Sequence, residues 1–175
     1  MNRDLALRFP LAVGFAFLTG LAARLEVPMA PVPMTMQTFA VLLAGCVLGP
    51  VWGGAAIVGY LALAAAGIPL LSDGASGLEP FTGATAGYLF AFPIAAVLAG
   101  WAARREWFER SGRGVAALSA LHLLILGLGT AWLATKIGAA EALAAGFTPF
   151  LIGAVVKSGL VWGGWRLWPR RVGPA

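Results

Sequence analysis

Charged residues are scarce in this sequence. Only 11% of its 175 residues are Asp, Glu, Lys or Arg, whereas a soluble domain carries about 25%. Hydrophobic residues make up 60% of the chain, and the mean hydropathy is +0.87. Because so few charges cannot cover a surface that faces water, a very apolar soluble protein is disfavoured and a lipid-facing surface is predicted.

Cysteine and histidine are also nearly missing. The chain has one cysteine, Cys46, and one histidine, His122, each inside an apolar stretch. A single cysteine forms no disulfide within the chain, and these two residues do not supply the ligand set of a zinc site. We interpret Cys46 as a small packed side chain and His122 as a packed or interhelically bonded one. No metal and no cofactor are predicted.

Catalytic and nucleotide-binding motifs are absent as well. No acid–base pair lies within an apolar stretch, and no Walker A loop is present, so we predict neither an enzyme nor an ATPase. The net charge of +5 would suggest nucleic acid in a soluble protein. Here the basic residues stand between apolar stretches, so we attribute the charge to membrane topology and predict no nucleic-acid partner.

Long uncharged runs dominate what remains. A helix needs about 20 apolar residues to cross a bilayer, so the uncharged run 27–72 is too long for one helix. Gly49-Pro50 is expected to divide it, and the Gly-, Pro- and Ser-rich segment 67–82 is expected to be a loop. The predicted transmembrane helices cover 8–25, 36–49, 51–66, 83–102, 114–135 and 148–167.

This pattern predicts an all-α polytopic membrane protein with six transmembrane helices in one domain, 1–175. The N-terminal stretch resembles a signal peptide, but because further apolar runs follow, we interpret it as the first helix. Orientation follows from the basic residues of the loops, which are enriched on the cytoplasmic side. Nine fall on one side of the six helices, and two, Arg24 and Lys136, fall on the other. Both termini are therefore predicted to be cytoplasmic, in a cell membrane. The nine are Arg3, Arg8, Arg104, Arg105, Arg110, Arg113, Arg166, Arg170 and Arg171.

Polar residues at the opposite, outer side are expected to form a binding site. The segment PVPMTMQT, 31–38, places them behind two prolines, which favour a short non-helical segment at membrane depth. Such backbone is tolerated where it lines a cavity. The candidate site residues are Thr35, Gln37, Tyr60, Thr85, Tyr88 and Lys157, with Thr82 nearby. Neutral hydrogen-bonding groups, aromatic rings and one cation suit a ligand with an apolar body, an amide-like head and an acidic tail.

Lys157 is the most informative of these residues. It lies within the last apolar run, which contains no acid. A charge at that depth costs a few kcal/mol and usually marks a functional site. Snorkelling to the interface and structural pairing are the alternatives. We favour a ligand carboxylate as its counter-ion.

Small residues at four-residue spacing lie along the first helix. Ala12, Ala16 and Gly20 would let another helix approach closely. Two interpretations remain open, which are packing against the chain's own helices and docking to a partner subunit.

Several motifs resemble the BioY family, the biotin-binding S components of energy-coupling factor (ECF) transporters. The first, PVPMTMQT followed by LLAGCVLGP, is the most specific, and the others follow in the same order along nearly the whole chain. The matching positions are Pro31, Pro33, Thr35, Gln37, Thr38, 42–45, 48–50, Tyr60, Gly67, Pro69, Gly83, Thr85, Gly87, Tyr88, Leu89, Pro149, Phe150, Gly153 and Lys157.

The resemblance implies a six-helix subunit that captures biotin outside the cell and delivers it inward with a transmembrane coupling subunit and ABC-type ATPases. It also implies that the small-residue stripe contacts the coupling subunit. An S component for another small acidic vitamin is an alternative, as is a membrane assembly subunit without a transport role.

The chain departs from the family pattern in three places. Ala84 and Ala86 replace a proline and a glycine, and Ala154 replaces an acid three residues before Lys157. Lys157 must therefore rely on the ligand carboxylate alone, or on an acid from the loops. The candidates for that acid are Asp73, Glu79 and Glu141.

Overall fold

The fold is built almost entirely of helices. A computed structural model describes residues 3–168, with side chains from residue 7 onward. The side chain of Arg3, and Arg170 and Arg171, which contributed to the predicted orientation, lie outside the described residues. The helices are α1 (Arg3–Ala23), α2 (Gln37–Ala65), α3 (Ala86–Arg104), α4 (Ser111–Ile137), α5 (Ala139–Gly146) and α6 (Phe150–Leu167). The predicted all-α class is confirmed at this level.

Helix α2 is a hairpin of two arms, 37–48 and 50–65. Gly49 has φ 80° and ψ 177°, which interrupts the helix directly before Pro50. The side-chain amide of Gln37 lies 2.6 Å from the hydroxyl of Tyr60. In a straight helix these residues would be about 35 Å apart along the axis. The chain therefore folds back at Gly49, which confirms the predicted break between two helices.

Glycines let the two arms and α3 pack closely. A Cβ atom on Gly53 would lie 2.6 Å from Cα of Gly45, and a Cβ on Gly45 would overlap the backbone oxygen of Ala96 in α3. Gly100 of α3 lies directly against the backbone of the turn at 49–50. Such contact between helix backbones is possible only where side chains are absent, as in other membrane helix pairs.

The small-residue stripe of α1 is used inside the molecule. Ala12, Ala16 and Gly20 are all buried, and a Cβ on Gly20 would lie 2.7 Å from the side chain of Leu70. Several exposed positions of α1 carry bulky side chains, such as Phe9 and Phe17. Of the two interpretations left open, the structure shows internal packing, and docking of this helix to a partner stays a prediction.

Three described helices are long and apolar enough to cross a membrane, namely Gln37–Ala65, Ala86–Arg104 and Ser111–Ile137. The pair Ala139–Gly146 and Phe150–Leu167, bent by 43°, would make a fourth span, and the apolar part of α1 is shorter. Large apolar side chains cover the outside of these helices, as expected for a surface in contact with lipid.

Two features between the helices were not predicted. Helix α5 occupies the region assigned to the connection between the last two spans. Strands β1 (Glu26–Val27) and β2 (Met34–Thr35) pair antiparallel, with Glu26 opposite Thr35. This small ribbon carries the PVPMTMQT segment to the start of α2 and so positions the polar residues predicted there.

The two ends of the helix bundle differ in charge. At one end, the turn at 49–50 lies beside the start of α1, where Arg8 donates to the backbone oxygen of Leu48 over 3.5 Å. The α3–α4 loop reaches the end of α6 there, with Glu109 3.5 Å from Arg166. We call this the basic end; its described basic residues are Arg8, Arg104, Arg105, Arg110, Arg113 and Arg166. At the other end, 3₁₀ turns at Ser72–Gly74 and Glu79–Phe81 carry acids.

Candidate functional site

A cavity of about 630 Å³ lies at the end of the bundle opposite the basic end. Its walls come from the β1–β2 ribbon, the loop 71–85, and helices α2, α3, α4 and α6. Five of the six predicted site residues line it. They are Thr35, Gln37, Thr85, Tyr88 and Lys157.

Lys157 enters this cavity from α6. It lies on the buried face of the helix with Phe150, Ala154 and Val161, at the three- and four-residue spacing of a helix face. Its side chain is only 7% exposed, and Nζ donates to the backbone oxygen of Thr35 over 3.1 Å. Among the described residues, no carboxylate pairs with it. The lysine is thus a buried cation whose counter-charge is not supplied by the described chain.

Gln37 is held in place by two hydroxyl groups. The hydroxyl of Thr35 donates to Oε1 of Gln37 over 2.9 Å, and Nε2 of Gln37 donates to the hydroxyl of Tyr60 over 2.6 Å. Tyr60 in turn donates to the backbone oxygen of Leu70 over 3.1 Å. Tyr60 is fully buried behind Gln37 and does not line the cavity. The structure therefore gives it a positioning role rather than the predicted contact with ligand.

Tyr88 and Thr85 hold the loop side of the cavity together. The hydroxyl of Tyr88 donates to the backbone oxygen of Gly146 over 2.8 Å and lies 3.3 Å from the hydroxyl of Thr130. Thr85 donates to the backbone oxygen of Pro80 over 3.4 Å. Since the single hydrogen of each hydroxyl is directed at the protein, Tyr88 faces a ligand with its ring, and Thr85 with its lone pairs and methyl group.

Three acids line the cavity near its loops. Asp73 and Glu79, two of the candidates to compensate for Ala154, are both among its lining residues. Glu141 is not, because it lies exposed on α5. Glu26 of β1, which sequence reasoning passed over, also lines the cavity. The acids make this region unfavourable for an anion, whereas Lys157 favours one on α6.

Three buried side-chain atoms without a hydrogen-bond partner belong to residues of this cavity. They are Oε2 of Glu26, Oγ1 of Thr38 and Nε2 of His122. A buried polar group left unsatisfied costs about 1–3 kcal/mol, so few are retained without a reason. A bound ligand that hydrogen-bonds these atoms would remove the penalty. Sequence reasoning took His122 for a packed or interhelically bonded residue, and its contact with Ser158 of α6 agrees with that, whereas the unpartnered Nε2 was not predicted.

The arrangement is suited to binding rather than to chemistry. Apolar side chains such as Leu89, Phe92 and Ile125 form part of the wall, and a few polar groups converge on it. In the part of the chain that the structure describes, no group of His, Cys, Asp and Glu is placed to hold a metal ion. The geometry provides a container for a small molecule with an apolar body and distinct polar groups.

Comparison with known proteins identifies close relatives. The sequence profile described as the BioY family matches residues 2–172. The chain is 38% identical over 144 residues to a probable biotin transporter BioY of Pyrococcus horikoshii, covering 82% of this chain and 85% of that one. It is 35% identical over 153 residues to biotin transporter BioY2 of Lactococcus lactis subsp. cremoris, covering 86% and 83%.

The fold also matches a solved structure. A crystal structure of the S-component for biotin from an ECF-type ABC transporter superposes with a TM-score of 0.84, over 95% of this chain and 94% of that one, at 24% sequence identity. That likeness establishes the fold, and the sequence matches establish the descent. This chain belongs to the BioY family.

Proposed function

We propose that this protein captures biotin in the cavity beside Lys157 and passes it inward as the S component of an ECF transporter. Relatives matched over most of their length are named biotin transporters, and the matching fold is that of a biotin S component. The partners are then a transmembrane coupling subunit and ABC-type ATPases in the cell membrane.

Lys157 is the observation that carries this proposal. Biotin has an apolar ring system and chain, a ureido head and a carboxylate, which are the groups that the cavity can accommodate. A buried ammonium without a carboxylate partner is stabilised when a ligand supplies one. The carboxylate of biotin is therefore assigned to Lys157, and the apolar wall to the ring system and chain.

The distribution of charge supports the orientation in the membrane. The basic end is opposite the cavity, and the side with more Lys and Arg faces the cytoplasm. The cavity then opens outward, and both termini are cytoplasmic. Six spans follow when α1, the two arms of α2, α3, α4 and the bent α5–α6 pair each cross once.

Calorimetry on the purified protein tests the assignment of Lys157. Replacing Lys157 by Met keeps the length of the side chain and removes its charge. Loss of one partner of a buried charge pair typically costs 2–5 kcal/mol, so biotin affinity should fall by about 30-fold or more. The matched control is Lys136→Met, which removes a cation stacked 5.4 Å from the ring of Trp132 and outside the cavity.

Biotin methyl ester provides the complementary test. The ester should bind the wild type more weakly than biotin does. Replacing Lys157 by Met should reduce the affinity for the ester only a little further, because the ester has already lost the carboxylate that pairs with the ammonium group. Equal binding of ester and acid by the wild type would refute the charge pairing. A thermal-shift panel of other small acidic vitamins tests the ligand, and stronger stabilisation by one of them would replace biotin.

A further inference from the structure

His122 has a place in the cavity that the proposed function does not yet use. It lies in the buried face of α4, its side chain is 2% exposed, and it is among the lining residues. The neighbouring helix α6 also lines the cavity, with Ala154, which offers no polar side-chain atom, and Lys157. His122 is thus a buried imidazole at the ligand chamber, and what it can do depends on which of its nitrogens carries hydrogen.

The contacts of Nδ1 determine that tautomer. Nδ1 lies 3.1 Å from the backbone oxygen of Leu118 and 3.0 Å from the hydroxyl oxygen of Ser158. The backbone oxygen can only accept. The hydroxyl of Ser158 already donates its single hydrogen to the backbone oxygen of Ala154 over 2.7 Å, so it too is an acceptor toward the ring. The tautomer that satisfies all three of these contacts at once carries the hydrogen on Nδ1.

The other nitrogen is left as a bare acceptor. In the neutral ring, hydrogen on Nδ1 leaves a lone pair on Nε2. Nε2 is buried and has no hydrogen-bond partner among the described residues. His122 is itself a lining residue of the cavity, so a donor group at this part of the wall can approach the ring. An acceptor in this position is satisfied by a donor that the ligand brings.

We propose that Nε2 of His122 accepts a hydrogen bond from an N–H group of the bound ligand. This inference rests on the proposed function, under which the only N–H groups of the ligand are those of the ureido ring. His122 and Lys157 then recognise different parts of one molecule, an N–H donor and an acid. The chain between those parts of biotin has several rotatable bonds, so both contacts can form in one chamber.

Two substitutions separate ligand contact from helix packing. In His122→Gln the amide oxygen can reach the position of Nε2, whereas in His122→Asn the shorter amide can replace only Nδ1 in its contact with α6. A donor buried without its acceptor loses about 1–3 kcal/mol, so Asn should weaken biotin binding by roughly 5- to 150-fold and Gln should retain more of the affinity. If packing alone mattered, Asn would be the better replacement.

A ligand analogue makes the test independent of any folding defect. Biotin methylated on a ureido nitrogen should bind the wild type less well than biotin, and this penalty should shrink in His122→Asn, in a calorimetric double-mutant cycle. Equal affinity of His122→Asn and wild type, or an unchanged analogue penalty, would overturn the assignment. If the wild type bound no biotin, the proposed function would fail with it. If Lys157→Met lost biotin binding and His122→Asn did not, the proposed function would be retained and the role of His122 would be refuted.

Discussion

The orientation of Gln37 is decided by groups that do not face the ligand. Thr35 donates to its amide oxygen, and Tyr60 accepts from its amide nitrogen, so the amide cannot rotate without losing both bonds. Tyr60 is itself fixed by its bond to the backbone oxygen of Leu70 in the loop. The chain of hydrogen bonds thus fixes a cavity-lining side chain to the loop that follows the α2 hairpin.

Tyr60→Phe tests this arrangement. The substitution removes the acceptor of Nε2 of Gln37 and leaves the oxygen of Leu70 without its donor, at almost constant volume. Loss of stability of about 1–3 kcal/mol is expected, because buried groups are left unsatisfied. Biotin affinity should fall as well, and thermal unfolding and calorimetry measure the two effects. An unchanged affinity would show that Gln37 does not need this support.

The roles of some site residues could be predicted from the sequence, and the roles of others could not. Lys157 was predictable because a charge in an apolar run requires a partner, and Thr35 and Gln37 because they follow two prolines. The roles of Tyr60 and Tyr88 were not, since a tyrosine that lines a cavity and one that lies behind its wall have the same local sequence signal. His122 is packed and bonded to another helix, as predicted, but the sequence could not reveal its unpartnered nitrogen, because only the tertiary contacts of Nδ1 do so.

Among the elements, the α2 hairpin depends on glycine at particular positions. The two arms contact each other at Gly45 and Gly53, where either Cβ would overlap backbone atoms. Gly59, in the second arm as well, has nothing within 4 Å of such a Cβ. One arm therefore contains a glycine that packing requires and a glycine that packing does not require.

Gly53→Ala and Gly59→Ala form a matched pair. The first should destabilise the protein by about 1–3 kcal/mol, because the added methyl pushes the arms apart. The second should be neutral or stabilising by up to about 1 kcal/mol, since alanine is the better helix former. Unfolding in detergent measures both. Equal effects would contradict the close packing of the arms.

The break in α2 was predictable from Gly49-Pro50, but the use of the α1 stripe was not. Small residues at four-residue spacing indicate that some helix approaches, and they carry no information on whether that helix belongs to the same chain. Helix α5 was missed because Lys136 and Glu141 mark a connection by charge. Burial of Ala142 and Gly146 against the bundle, a tertiary effect, makes that connection helical.

On the scale of the whole molecule, the basic end also carries aromatic residues. Tryptophans accompany the arginines of the basic end, with Arg105 3.8 Å from the ring of Trp101 and Arg113 5.1 Å from that of Trp107. Tryptophan is enriched at membrane interfaces. The basic end therefore combines the arginine excess typical of a cytoplasmic side with the aromatic residues typical of either membrane interface.

Cysteine labelling tests the orientation that this asymmetry supports. The natural cysteine, Cys46, is fully buried, so it provides little background. Leu78→Cys is at the exposed cavity end and Ser111→Cys at the exposed basic end. A membrane-impermeant maleimide should label the first in intact cells and the second only after permeabilisation. The reverse pattern would invert the proposed topology.

The close glycine contacts have a consequence for how the ligand can travel. Backbones touch at 45, 49, 53 and 100, from the middle of the α2 arms to the turn at the basic end, whereas the loops that line the chamber lie at the opposite end. A molecule that enters the isolated chain consequently departs through the same opening. Under the proposed function, net movement of biotin then requires a second conformation of the protein, which the coupling subunit and the ATPases would bring about.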